Sequence, residues 1–268
     1  MKFTKAHAYG NDFLYVLAHE VEGAALDVLA RELCDRYTGV GADGLIVYEP
    51  TGDGATMRLL NADGSGAEVS GNGVRALGAL LLRDDNRTDV ELTIQTQAGP
   101  KRLTRTGRSR SRQTFRAAMG LPRNLRQEPI AAAGESFPIV IMEFGNPQAV
   151  VLGPLPDRDR FGCVAAALER HERFPHGSNI EFAEVLAPDS IRILIWERGV
   201  GPTQSSGTGS CAALIAAAAF GGAARDATVI APGGSQRVEW RDDDVYLTGW
   251  AEVVVEGVWL REMPESRT

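Results

Sequence analysis

The sequence predicts an α/β protein made of two similar domains related by a pseudo-two-fold axis, and three observations carry that expectation. Strand-like apolar runs alternate with helical segments along the chain. A small polar residue followed by glycines opens a helix twice, at Ser70-Gly71-Asn72-Gly73 and at Ser206-Gly207-Thr208-Gly209. The landmarks of the first half also recur in order in the second. Asn146 follows Asn11 by 135 residues, Gly177 follows Gly41 by 136 and Ser206 follows Ser70 by 136.

Residues 2–8 and 13–18 read as strands around the tight Tyr9-Gly10-Asn11-Asp12 corner. Residues 26–37 put Leu26, Leu29, Ala30 and Leu33 on one helical face. A glycine turn then leads into strand 45–48, strand 57–60 follows, and the Ser70 loop opens helix 74–82 before strand 90–96. The second half replays this order. A strand pair over 138–151 surrounds Gly145-Asn146-Pro147, helix 161–174 comes next, and Gly177 precedes strands 180–185 and 191–196. The Ser206 loop opens helix 210–220, and strands 227–230, 236–240, 245–248 and 252–256 complete the sheet. Domains are expected at 1–116 and 117–261, with 262–268 able to rejoin the first.

At 268 residues with 44% apolar and 24% charged side chains, the chain has material for a sizeable core. A net charge of -7 argues against a generic nucleic-acid surface. Residues 101–116 do carry seven bases and no acid. So short and isolated a run reads as a solvated hairpin or hinge, ahead of an RNA or phospholipid patch. The apolar run 211–224 falls short of a membrane span and is broken by Gly221-Gly222. Met1-Lys-Phe-Thr-Lys reads as the start of a strand, not a secretory leader. Cys34, Cys163 and Cys211 show neither disulfide parity nor metal-ligand spacing, which suits a reducing cytoplasm.

The first turn of a helix presents unpaired N–H groups and a partial positive charge, so each Ser-Gly-x-Gly start attracts a carboxylate or phosphate. Two such turns facing each other would hold one anion and offer it a hydroxyl from each side. Asn11, Asn61, Asn72, Asn146 and Asn179 each sit beside a glycine or at a strand-to-loop boundary. Tolerance of left-handed backbone accounts for any one of them. Asn11 and Asn146 recur in both copies, and a ring of amides suits a zwitterion such as an amino acid. Glu197-Arg198 is either a surface pair or a strand-end clamp, the guanidinium for a carboxylate and the carboxylate for an ammonium. No Ser-His-Asp arrangement, H-E-x-x-H, phosphate loop or dinucleotide fingerprint appears, so the pocket is expected to need no cofactor and no metal.

Gly10-Asn11-Asp12-Phe13, Asn61-Ala62-Asp63-Gly64-Ser65, Gly71-Asn72-Gly73, Gly145-Asn146-Pro147, Glu197-Arg198-Gly199 and Gly207-Thr208-Gly209 together resemble the diaminopimelate epimerase family over nearly the whole chain. The resemblance implies two domains, each a mixed β-sheet wrapped around a central helix. It also implies a cytoplasmic, generally homodimeric isomerase of lysine biosynthesis that inverts an amino-acid α-carbon by two-base proton transfer without pyridoxal phosphate or metal. Asn11, Asn61, Asn146, Asn179, Glu197 and Arg198 match the family's substrate contacts. The N–H groups of Gly71, Asn72, Gly207 and Thr208 would cradle the reacting carboxylate. Ser70 and Ser206 stand where the family carries its two catalytic cysteines, and Gly44 and Pro202 stand where polar side chains are expected. A serine hydroxyl is a far weaker acid than a thiol and normally needs an adjacent base. Three alternatives therefore stay open beside the epimerase: an engineered or natural serine variant that only binds an amino acid, a slow serine-bearing branch, or a related dehydratase.

Overall fold

The computed structural model describes residues 1–265. It divides into two compact units, Met1–Ala117 with the chain from Trp250 onward, and Ala118–Gly249. Among the described residues no helix is long and apolar enough to cross a membrane.

In the first unit β1 (Lys2–Ala8) and β2 (Asn11–Leu17) form an antiparallel hairpin. Its two-residue turn holds both Tyr9 and Gly10 at positive φ, 56° and 88°, as a twisted hairpin requires. After the 3-10 turn Ala18–Val21, α1 (Leu26–Cys34) buries Leu29, Ala30 and Leu33. It ends earlier than the expected residue 37 because Asp35 leaves helical geometry and its carboxylate takes the N–H groups of Tyr37 and Thr38. β3 (Gly44–Pro50) runs parallel to β2, and β4 (Gly54–Asn61) runs antiparallel to β3. The short β5 (Gly66–Ala67) leads to α2 (Gly71–Leu81). β6 (Val90–Thr96) is parallel to β4, and β7 (Gly99–Ser109) and β8 (Arg112–Ala118) form the next hairpin.

The second unit repeats this topology after one added strand, β9 (Arg123–Ala132). β10 (Glu135–Phe144) pairs with β9 and turns at Gly145 into β11 (Asn146–Leu152). α3 (Arg158–Glu169) starts and stops three to five residues before the expected 161–174, capped by the Asp157 carboxylate. β12 (Asn179–Ala187) is parallel to β11, β13 (Ser190–Glu197) is antiparallel to β12, and the short β14 (Gly201–Thr203) leads to α4 (Gly207–Phe220). β15 (Asp226–Ala231) is parallel to β13, followed by antiparallel β16 (Gly234–Trp240) and β17 (Val245–Val258).

β17 corrects the sequence reading, which had two strands here and a domain running to 261. It is one continuous strand. Val245–Thr248 pairs with β16, while Glu252–Val258 pairs with β1. Because β17 also pairs with β8, the first unit closes as an eight-strand ring, β1-β2-β3-β4-β6-β7-β8-β17. The chain therefore returns to the first unit at Trp250 and not at 262. Residues 266–268, part of the segment expected to rejoin it, lie outside the described residues.

In each unit the strands pack around a helix. α2 carries glycines where strands approach: a β-carbon at Gly73 would lie 2.8 Å from Ile46 Cδ1, and one at Gly78 would lie 3.1 Å from Leu103 Cδ1. α4 is buried on all sides from Ser210 to Ala217 against Val140, Met142, Val150, Ile191 and Ile193, and Cys211 belongs to that core. The basic run 101–116 does form a hairpin, but not a wholly solvated one. Arg105 is buried and its guanidinium donates to the carbonyls of Leu82 and Asp85 and to Gln113. It thereby satisfies backbone acceptors just past the end of α2.

Candidate active site

Both serines cap their helices. Ser70 is extended (φ -126°, ψ 121°) and its Oγ accepts from Gly73 N at 3.1 Å. Ser206 is likewise extended (φ -135°, ψ 130°), with Gly209 N donating to its Oγ at 3.2 Å. In each case the third N–H of the turn holds the hydroxyl in place. Gly71 and Asn72 in one unit, and Gly207 and Thr208 in the other, supply the preceding N–H groups at the positive end of the helix. Ser206 is buried and has Thr208 Oγ1 3.4 Å from its hydroxyl, whereas Ser70 is half-buried.

In the first unit the structure brings Asn11 and Asn72 together, and Asn72 Nδ2 donates to Asn11 Oδ1 at 3.1 Å. Asn11 Nδ2 in turn donates to Asp43 Oδ2 at 2.7 Å, and the buried Arg75 donates to Asn72 Oδ1. The hairpin turn and the start of α2 are thus tied by amides of fixed orientation. Asp12, one residue on, is held by Lys5 at 2.8 Å and Arg36 at 2.7 Å. Those cations keep its carboxyl below the ordinary range even though burial opposes them. Asn61 is not part of this pair. It is exposed at the end of β4, and its amide donates to Ser65 Oγ at 2.9 Å. Gly44 lies opposite Asn61, and a β-carbon there would sit 2.6 Å from the Leu60 carbonyl. This close approach explains the glycine where a polar side chain was expected.

In the second unit Asn179, buried at the start of β12, accepts the Arg198 N–H at 2.8 Å. Arg198 itself is exposed, with Nη1 donating to the His176 carbonyl at 3.2 Å and its stem lying over Gly177. The turn that presents it is fixed by Glu169 of α3, whose carboxylate accepts from Gly199 N at 2.7 Å and Trp196 Nε1 at 2.8 Å. Glu197 ends β13 beside that turn. Asn146 starts β11 and meets the buried Gln148 side chain. Hydrogen-bond partners orient the Gln148 amide with its nitrogen toward both oxygens of Glu181 (3.0 and 3.2 Å) and its oxygen toward Asn179 Nδ2 (3.2 Å). Asn179 therefore joins Gln148, through its Nδ2, to the Arg198 N–H, through its Oδ1, with Asn146 beside the Gln148 amide and Glu197 at the edge of the group.

Sequence reasoning missed Asp43, Arg75, Gln148, Glu169 and Glu181. Glu181 did carry a signal, being one carboxylate in the apolar run Asn179-Ile180-Glu181-Phe182-Ala183. It is fully buried, and burial together with the Glu197 carboxylate raises its pKa well above the ordinary value. Among the described residues no cluster of three or more His, Cys, Asp or Glu side chains could hold a metal ion.

Residues 3–122 and 140–254 match the family model described as diaminopimelate epimerase. A diaminopimelate epimerase of Desulforudis audaxviator is 39% identical over 97% of this chain and 100% of its own length. That of Methanococcus maripaludis strain C6 is 36% identical over 96% and 99%. Among solved structures, a hydroxyproline epimerase from Agrobacterium vitis superposes with a TM-score of 0.70 at 15% identity, covering 96% of this chain and 91% of that one. A phenazine biosynthesis protein from Bacillus anthracis gives 0.67 at 16% identity, covering 97% and 99%. At such identities these two structures speak to the fold alone.

Proposed function

The chain belongs to the diaminopimelate epimerase family, and from that premise we propose that it epimerises diaminopimelate between its LL and meso forms, without a cofactor, by two-base proton transfer at the α-carbon. One observation carries the reading: each unit begins a helix at a serine whose oxygen is fixed by the third N–H of the first turn. Ser70 and Ser206 are the groups assigned to exchange the α-proton. The N–H groups of Gly71, Asn72, Gly207 and Thr208 hold the reacting carboxylate, and negative charge that spreads from the α-carbon onto it in the transition state is stabilised there. Asn11, Asn146 and Asn179 bind the polar groups around that carbon, and Asn61 binds from the end of β4. Arg198 takes a carboxylate with its planar fork, and Glu197 takes an ammonium.

This reading places the protein in the cytoplasm as a homodimer in lysine biosynthesis. The test is α-proton exchange of diaminopimelate in deuterated water, followed by NMR. Exchange with interconversion of the stereoisomers supports the epimerase. Tight binding with no exchange, even with cysteines at both positions, leaves an amino-acid binding protein, and loss of water from a substrate indicates a dehydratase.

A further inference from the structure

A serine that moves a carbon-bound proton needs a base behind it, because a hydroxyl gives up its own proton far less readily than a thiol. We infer that Glu181 is that base for Ser206, an inference that rests on the epimerase reading above. The geometry at Gly209 carries it. A β-carbon on Gly209 would lie 2.7 Å from Glu181 Oε1 and 3.3 Å from Ser206 Oγ. The two oxygens are therefore no more than about 6 Å apart, within the span of one bridging water. Any side chain at Gly209 would crowd both oxygens.

The surroundings suit a base. Glu181 has no exposure to bulk water, and Gln148 donates to its carboxylate. The elements packed on it are β11, β13 and α4. β11 presents Gln148, α4 presents Gly209 at its positive end, and β13 presents Glu197, the charged group that acts on it. Burial and Glu197 both oppose ionisation, so the carboxylate, once formed, is a stronger proton acceptor than an exposed one. In the step, Ser206 Oγ takes the α-proton while its own proton passes to the Glu181 carboxylate, directly or through one water. The electron pair of the broken C–H bond stays on the substrate until Ser70 gives its hydroxyl proton to the opposite face. Ser70 is only half-buried and takes a replacement proton from solvent, one for each proton that Glu181 holds. In the reverse direction the Glu181 carboxyl hands its proton back to Ser206. Glu181 acts through Ser206 and is a positioning and proton-holding residue, not one that touches substrate.

The test is a double-mutant cycle read by diaminopimelate α-proton exchange across pH 6–9. Glu181→Gln keeps the size and an acceptor for Gln148, and should lower exchange at least tenfold in the Ser206 protein with little change in the substrate concentration needed for half-saturation. In the Ser206→Cys background, where a thiolate supplies its own basicity, the same change should cost less than threefold. Glu181→Asp should recover part of the loss only in the Ser206 background. An equal loss in both backgrounds would make Glu181 a structural group and overturn the inference. So would unchanged exchange in Glu181→Gln, or a native protein that exchanges nothing while the cysteine protein is active. The epimerase reading itself fails separately, if neither serine nor cysteine forms exchange the proton. Far-ultraviolet circular dichroism of each variant identifies one that has not folded, in which case Glu181→Asp alone decides.

Discussion

Replacing the capping serines should cost stability and turnover by separable routes. Ser70 Oγ accepts one N–H at 3.1 Å and Ser206 Oγ accepts one at 3.2 Å, on helices that share no capping partner. Loss of an N-cap typically costs about 1 kcal/mol. Ser70 is half-buried, so water can replace part of its bond, and Ser70→Ala should cost about 1 kcal/mol. Ser206 is buried, as is Gly209, so Ser206→Ala strands a donor and should cost about 2 kcal/mol. Together they lower Tm by roughly 6–12 °C, at about 2–4 °C per kcal/mol for a large chain that melts as one cooperative unit. Sulfur accepts hydrogen bonds weakly, so Ser→Cys should lose much of the same stability. Ser→Thr, which keeps the hydroxyl, should lose little. Differential scanning calorimetry of the alanine, cysteine and threonine series decides. Alanine variants that melt with the native protein, or threonine variants that fall as far as alanine, would refute the capping argument.

Two further outcomes are expected. Arg198→Ala should weaken diaminopimelate binding by at least tenfold in isothermal calorimetry, and Arg198→Lys should restore only part of it, since an ammonium cannot reproduce the fork; unchanged affinity in the alanine variant removes the clamp. A carboxyl whose folded pKa is raised contributes stability that is present below its unfolded value, near 4.3, and is lost as pH rises through the folded one. Glu181→Gln should therefore melt near the native protein at about pH 4 and above it by a margin that grows toward pH 8, and a pH-independent difference would contradict the burial argument.

What the sequence made legible was local. The Tyr9-Gly10 turn, the Gly145 turn and both serine caps depend on residues within four positions of one another, so their spacing was enough to find them and to expose the repeat. β7, β8 and β9 were harder, because the inward-facing row of the β7–β8 hairpin mixes Leu103, Phe115 and Ala117 with the buried polar side chains Arg105 and Gln113. That mixture breaks the alternation that marks a strand. β17 read as two strands because a mid-strand glycine resembles a break, whereas partners on both sides carry the ladder through. In the site, Asn11, Asn72, Asn179 and Arg198 were legible as residue types at loop boundaries. Their fixing groups were not, since Asp43, Gln148 and Glu169 reach them or their turns across strand pairs and helix packing that spacing along the chain does not encode.

The central claim is that two serine-capped helix starts form a proton-transfer pair, and it is tested most directly by α-proton exchange of diaminopimelate with the native chain and with Ser70→Cys, Ser206→Cys and the double variant. At neutral pH a cysteine is a few per cent thiolate while a serine is essentially all hydroxyl, so the double variant should exchange orders of magnitude faster than the native chain. Each single variant should fall between, because inversion needs one group to remove the proton and another to return it. A double variant that binds diaminopimelate yet leaves its α-proton in place would contradict the claim.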